Sequence, residues 1–284
     1  FSVGRRGATV RDIKNTLAED KTILRVKEKG RMLCTTKAVL SEEKRMVDLA
    51  QAGLGKLRPL YQTAPDLTLK GQQAAAVTHV LTTQHRVSII KGSAGTGKTT
   101  LMKEAVSLIE RAGKTVTVVA PTAQASRGVL REEGFSKAET VARLLADTEM
   151  QQKLKGQVLW VDEAGLLGTK DMTALLKIAT DQNAQLILGG DTRQHASVVR
   201  GDALRILSTV AGIRSAEVSK IYRQSRKDYR EAVEDLAKGE VKNGFEKLNA
   251  AGFINEIDPL DGRTQMVDDY VAAIKKGRSA LMVS

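Results

Sequence analysis

The sequence has 284 residues, enough for one large or two ordinary domains with a sizeable buried core. No apolar run approaches the roughly 18 residues that cross a bilayer, and a lone cysteine, Cys34, excludes an internal disulfide framework and fits a reducing cytosol. Net charge is +12 and unevenly placed, with 14 Lys and Arg against 7 Asp and Glu in residues 1–60, so the front end suits a polyanion such as nucleic acid.

Residues 22–35, "TILRVKEKGRMLCT", predict two short strands about a Glu-Lys-Gly turn. Thr36 follows as the cap of a helix whose apolar positions Val39, Leu40, Met46, Val47 and Ala50 recur at helical spacing before Gly53 and Gly55 stop it. Pro59 and Pro65 bracket a polar connector, which sets an expected boundary between a small basic α+β accessory domain, residues 1–65, and the main domain, residues 66–227. From there apolar runs alternate with longer amphipathic stretches. "RVSIIKG" (86–92), "TVTVVAP" (115–121), "QVLWVDE" (157–163) and "AQLILGGD" (184–191) read as strands covered on both faces, hence an α/β fold with a parallel sheet wrapped by helices. Residues 228–284 predict helices, a strand near "GFINEI", the helix "RTQMVDDYVAAIKKG" and a strand "SALMVS".

Ligands of such sheets collect outside the carboxyl ends of the strands, where three chemical motifs fall. The first, Gly92-x-x-x-x-Gly97-Lys98-Thr99, fits the Walker A pattern between a strand and a helix that Gly113 terminates. In such a loop the backbone N–H groups of Gly92, Ser93, Ala94, Gly95, Thr96, Gly97 and the following Thr100 surround phosphates, Lys98 reaches the terminal ones, and Thr99 coordinates Mg²⁺. "VLWVDE" carries Asp162 and Glu163 to a strand end, where an aspartate holds the metal and a neighbouring carboxylate activates water. An Asp-Glu pair after a strand is also an ordinary helix start, and the spacing from Lys98 favours the metal site. In "GGDTRQHASV", Gln194 is placed to touch both a γ-phosphate and its attacking water. Arg223, in "KIYRQSRKDY", is a candidate for the positive charge on a phosphoryl transition state. His79, His85 and His195 show no metal-ligand spacing.

Taken in order, "LKGQQAAAV", "GSAGTGKTT", "APTAQASRGV", "ETVARLL", "LWVDEAGLL", "GGDTRQHASV" and "IYRQ" resemble the motif series of superfamily 1B, RecD-like DNA helicases. More specifically, "TTKAVLSEEKRMVDLAQAG" and "GGDTRQHASVVRGDALR" are similar to the helicase region of MobF-type conjugative relaxases of the TraI and TrwC kind. The resemblance implies a RecA-like P-loop NTPase domain followed by the beginning of a second one, and a motor moving 5′ to 3′ on single-stranded DNA at the expense of Mg-ATP. It assigns adenine reading to Gln73, phosphate and metal binding to Lys98, Thr99 and Asp162, and water activation to Glu163. Gln194 would couple nucleotide state to DNA, Arg223 would be the γ-phosphate arginine, and Thr122, Thr140 and His195 would line the DNA path. Threonines at such positions are also common helix caps. Implied partners, beyond DNA, are relaxosome proteins and a type IV secretion coupling protein, in the bacterial cytoplasm, with export of the intact protein to a recipient cell and no membrane insertion. Aromatic residues make up 3% of the chain, so the DNA grip is expected to come mainly from phosphate contacts. The chain is expected to be a piece of a longer polypeptide, weak in nucleotide turnover by itself because the second RecA-like domain is incomplete. Two alternatives are a degenerate helicase copy that only binds single strands and a stand-alone RecD-like repair helicase.

Overall fold

The computed structural model describes residues 9–28, 30–92, 96–191, 202–219, 227–254, 256, 262–277 and 280–281. They separate into two compact units, residues 1–220 and 221–284.

The first unit opens with α1 (Val10–Glu19), started by a capping box in which Thr9 and Asp12 hydrogen-bond reciprocally. Strands β1 (Ile23–Glu28) and β2 (Arg31–Thr36) form the expected antiparallel hairpin, turning through Gly30 at φ 76°. The Thr36 hydroxyl accepts from the Val39 N–H and starts α2 (Lys37–Ala52), which stops at Gly53 as expected. Met46 and Ala50 of α2 are buried, whereas Leu40, expected on the same face, is 49% exposed. Six residues from Met46 at 100° per residue, it is turned about 120° away.

The chain continues through α3 (Gly71–Thr82), β3 (Val87–Gly92), α4 (Lys98–Arg111), β4 (Val116–Ala120) and a π-helical stretch (Gln124–Leu130). Next come β5 (Glu139–Thr140), α5 (Val141–Ala146), α6 (Thr148–Gln152), β6 (Val158–Val161) and a 3₁₀ turn (Ala164–Leu166). The unit closes with α7 (Thr169–Asp181), β7 (Gln185–Gly190), α8 (Ala203–Thr209) and β8 (Ser215–Val218). Among the described residues, six strands form one sheet in the order β5-β4-β6-β7-β3-β8, every neighbouring pair parallel. This is the α/β, P-loop NTPase-like architecture read from the sequence. The four expected strands are its centre. The edge strands β5 and β8, two and four residues long, lack an apolar run and were not anticipated.

The pleat divides the strand residues between two cores. Val87, Ile89, Val119, Leu159, Val161, Leu186 and Leu188 join α2, α5, α7 and α8 on one face. Ile90, Val118, Ala120, Val158, Trp160 and Ile187 join α3 and α4 on the other. Because α2 contributes Met46 and Ala50 to the first of these cores, the boundary expected near residue 65 falls inside the first unit.

In the second unit, α9 (Lys227–Lys238) and α10 (Val241–Ala250) pair antiparallel. The Tyr229 ring lies 4.9 Å from that of Phe253, and Lys247 Nζ is 2.6 Å from Asp235 Oδ2. Helix α11 (Gly262–Lys275) is the helix expected at "RTQMVDDYVAAIKKG". The strands expected at "GFINEI" and "SALMVS" show no strand at their described residues, and the rest of both segments lies outside them.

Candidate active site

Since the six strands run parallel, their carboxyl ends share one edge of the sheet, and this edge carries Gly92, Thr122, Thr140, Asp162 and Glu163. Strand β3 ends at Gly92, and α4 starts after Gly97, whose φ of 75° requires a residue without a side chain. A β-carbon on Gly92 would stand 2.9 Å from Thr96 Oγ1 and 3.2 Å from Lys98 Cγ, so the first glycine is demanded by the close return of the loop. Lys98 Nζ donates to the Gly92 carbonyl at 2.5 Å. No side chain caps α4 and its first turn has no acidic residue, leaving its positive end for an anion. Gln73, on the first turn of α3, is buried and its Nε2 donates to the carbonyls of Thr96 at 3.2 Å and Gly97 at 3.3 Å. The residue expected to read a base is thus fastened to the phosphate loop. Thr99 is half-buried and Thr100 exposed at the start of α4.

Asp162 and Glu163 follow β6, separated from β3 in the sheet by β7. Burial pushes the Asp162 carboxyl above its usual range, against the opposing pull of the Lys98 charge and a backbone hydrogen bond from Glu163. Desolvation and the adjacent Asp162 carboxylate likewise raise Glu163, and Lys98 again opposes. Lys98, which follows β3, and the acidic pair, which follows β6, thus stand at the same edge of the sheet. Glu163 adopts φ 52°, ψ 34°, left-handed backbone that costs a non-glycine residue about 1–2 kcal/mol. The turn that requires it presses Gly165 onto β7: a β-carbon on Gly165 would lie 2.6 Å from the Asp191 carbonyl oxygen, and one on Gly190 would lie 2.9 Å from Gly165 N.

Thr122 sits past the end of β4, and Thr140 is the last residue of β5. Both act as caps, Thr122 Oγ1 accepting from Ala125 N at 3.1 Å and Thr140 Oγ1 from Arg143 N at 3.0 Å. With strands about 4.8 Å apart, β5 and β4 lie roughly 14–19 Å across the sheet from β3. Ser93, Ala94, Gly95, Gln194, His195 and Arg223 lie outside the described residues. Sequence reading overlooked three features here. Glu104 and Gln72, which hold the start of α3, carry no motif beyond the doublet "QQ", and the Gly165–Gly190 contact is signalled only by the pair "GG".

The family model described as AAA domain matches residues 68–259, more than half of the sequence. The chain belongs to the AAA domain family. It is 34% identical over 205 residues to the conjugal transfer protein TraA of Rhizobium radiobacter, covering 68% of this chain and 18% of that protein. It is 27% identical over 234 residues to the multifunctional conjugation protein TraI of Escherichia coli strain K12, covering 78% and 13%. The ATP-dependent RecD2 DNA helicase of Deinococcus radiodurans is 32% identical over 186 residues, covering 63% and 25%. The chain therefore spans a quarter or less of the length of these relatives. A RecD-like helicase region related to those of conjugal transfer proteins is what the motif series had implied.

Proposed function

We propose that this chain is the first ATPase domain of a DNA helicase that moves 5′ to 3′ on single strands during conjugal transfer. The observation that carries the reading is the turn from β3 into the uncapped start of α4, with Lys98 at its first position, at the same sheet edge as the Asp162–Glu163 pair two strands away. The backbone N–H groups of residues 92–99 bind the triphosphate, and Lys98 offsets charge gathering on its terminal phosphate. Glu163, in its strained turn, orients and deprotonates the attacking water. The Asp162 carboxylate and Thr99 hydroxyl are hard oxygen donors that fit Mg²⁺, and burial of Asp162 makes a cation partner favourable. Mg²⁺ would supply charge neutralisation at the phosphate oxygens. Gln194 reports nucleotide state to DNA, Arg223 adds a second positive charge to the transition state, and Thr122, Thr140 and His195 lie along the strand. Names of the relatives support the setting: two are conjugation proteins and one a DNA helicase.

The deciding experiment measures ATP hydrolysis, with and without single-stranded DNA, by the complete polypeptide that contains this chain and by its Lys98→Ala variant. Single strands should stimulate the parent, and the variant should lose about a hundredfold or more in kcat. Equal hydrolysis by the two rejects the site. Strand binding without hydrolysis transfers the assignment to a binding module.

A further inference from the structure

The approach to α3 is held by contacts that no catalytic motif contains. Glu104, on the phosphate-loop helix α4, accepts from Thr68 N at 2.5 Å and Thr68 Oγ1 at 2.7 Å through one carboxylate oxygen, and from Leu69 N at 3.2 Å through the other. One turn further along α4, the Leu108 carbonyl accepts from Tyr61 Oη at 2.8 Å, and Leu67 and Leu69 pack on the core beneath. On the opposite flank Gln72 and Ser219 exchange hydrogen bonds, Gln72 Nε2 to Ser219 Oγ at 3.0 Å and Ser219 N to Gln72 Oε1 at 3.0 Å. Between them Gln73 donates into the loop carbonyls of Thr96 and Gly97. The helix start itself does little: Lys70 offers no side-chain cap and Gly71 takes φ 60°. The Glu104 clamp supplies three of the hydrogen bonds that fix this turn on α4.

The hydrogen bonds from Gln73 to the loop use its donors, and its carbonyl Oε1 is an acceptor by chemistry. An acceptor beside the phosphate loop complements the exocyclic amine of adenine and opposes the O6 carbonyl of guanine. We propose that Glu104 is a positioning residue for base discrimination: by tying Thr68 and Leu69 to α4 it fixes where Gln73 meets the base, and so makes the site prefer ATP over GTP. This rests on the nucleotide reading above. Glu104 is suited to the task as an ionised group. Burial raises its carboxyl, but the hydrogen bonds from Thr68 and Leu69 and the charge of Arg111 outweigh that and leave it below the usual glutamate range.

The test is equilibrium binding of ATP, GTP and inorganic tripolyphosphate, each with Mg²⁺, to this chain. Wild type should bind ATP more tightly than GTP and than tripolyphosphate. Glu104→Ala should lose about tenfold of the ATP advantage, with tripolyphosphate affinity within twofold of wild type. Glu104→Gln, which keeps an oxygen acceptor for Thr68, should recover part of the preference. Gln73→Ala should mimic Glu104→Ala, and the double variant should be no worse than either single one. The inference fails if Glu104→Ala keeps the ATP-to-GTP ratio, if it weakens ATP and tripolyphosphate equally, or if wild type shows no preference. Failure of the underlying reading looks different: wild type then binds none of the three, or Lys98→Ala leaves all three affinities unchanged.

Discussion

Arg86 is 8% exposed, and among the described residues its guanidinium donates to the Ala179 carbonyl at 3.3 Å and to Asn183 Oδ1 at 3.1 Å. Its backbone N–H donates to the Gly53 carbonyl at 2.9 Å, and a β-carbon on Gly53 would meet Arg86 Cβ at 2.9 Å. One cation thus sits where the carboxyl ends of α2 and α7 meet, the favourable sign for two helix dipoles. Replacing it by alanine removes both hydrogen bonds and the packing of its buried stem, and should cost about 1–3 kcal/mol in urea denaturation. Arg86→Met, which keeps most of the volume and removes the buried charge, should cost less. Glu139 makes the opposite arrangement at the sheet edge, accepting from Arg127 Nη2 at 2.8 Å and Arg131 Nη2 at 2.5 Å. The Arg127 hydrogen bond, with the charges of both arginines, holds its carboxyl below the ordinary value of 4.5 despite partial burial. A depressed folded value means that the contribution is complete above 4.5 and is lost as pH falls through the lower folded value. Thermal melting followed from about pH 6 down to about pH 3 should therefore show a shallower acid decline in Glu139→Gln than in wild type.

At the scale of elements, α2 is the informative case. Its start at Thr36 and stop at Gly53 were legible from capping chemistry. Its partner was not, because an amphipathic pattern states that a face is buried and not against what. The answer is the sheet's own core, through Met46 at 0% exposure. Met46→Ala should accordingly cost about 2–4 kcal/mol and shift a single unfolding transition. A separate early transition, with the six-stranded sheet melting at its normal temperature, would show that α2 belongs to an independent module. The central strands could be read because unbroken Val, Ile and Leu runs describe a doubly covered sheet. Strands β5 and β8 could not, since a short edge strand owes its existence to a neighbour rather than to its own residues. Nor does "QASRGVL" signal a π-helical stretch, whose register follows from how the chain leaves β4.

For the molecule as a whole, sequence motifs located the phosphate loop, the acidic pair and the strand edge that unites them, because each has its own chemistry. What they could not reveal are the supports whose only property is distance. Glu104 lies 35 residues from the turn it holds, and Gln72 lies 147 from its partner. The second distance is closed by the sheet order, in which β8 lies beside β3 and Val218 pairs with Gly92, 126 positions earlier in the chain. The basic residues of α1 and the hairpin strands, Arg11, Lys14, Arg25, Lys27 and Arg31, are all exposed and so available to a polyanion.

The absence of space for a single methyl group between Gly165 and the end of β7 has a mechanical meaning. Two segments in backbone contact cannot slide by a fraction of an ångström without one pushing the other. The turn that aims Glu163 and the end of β7 thus behave as one stiff lever, with the glycines as its bearing rather than as slack.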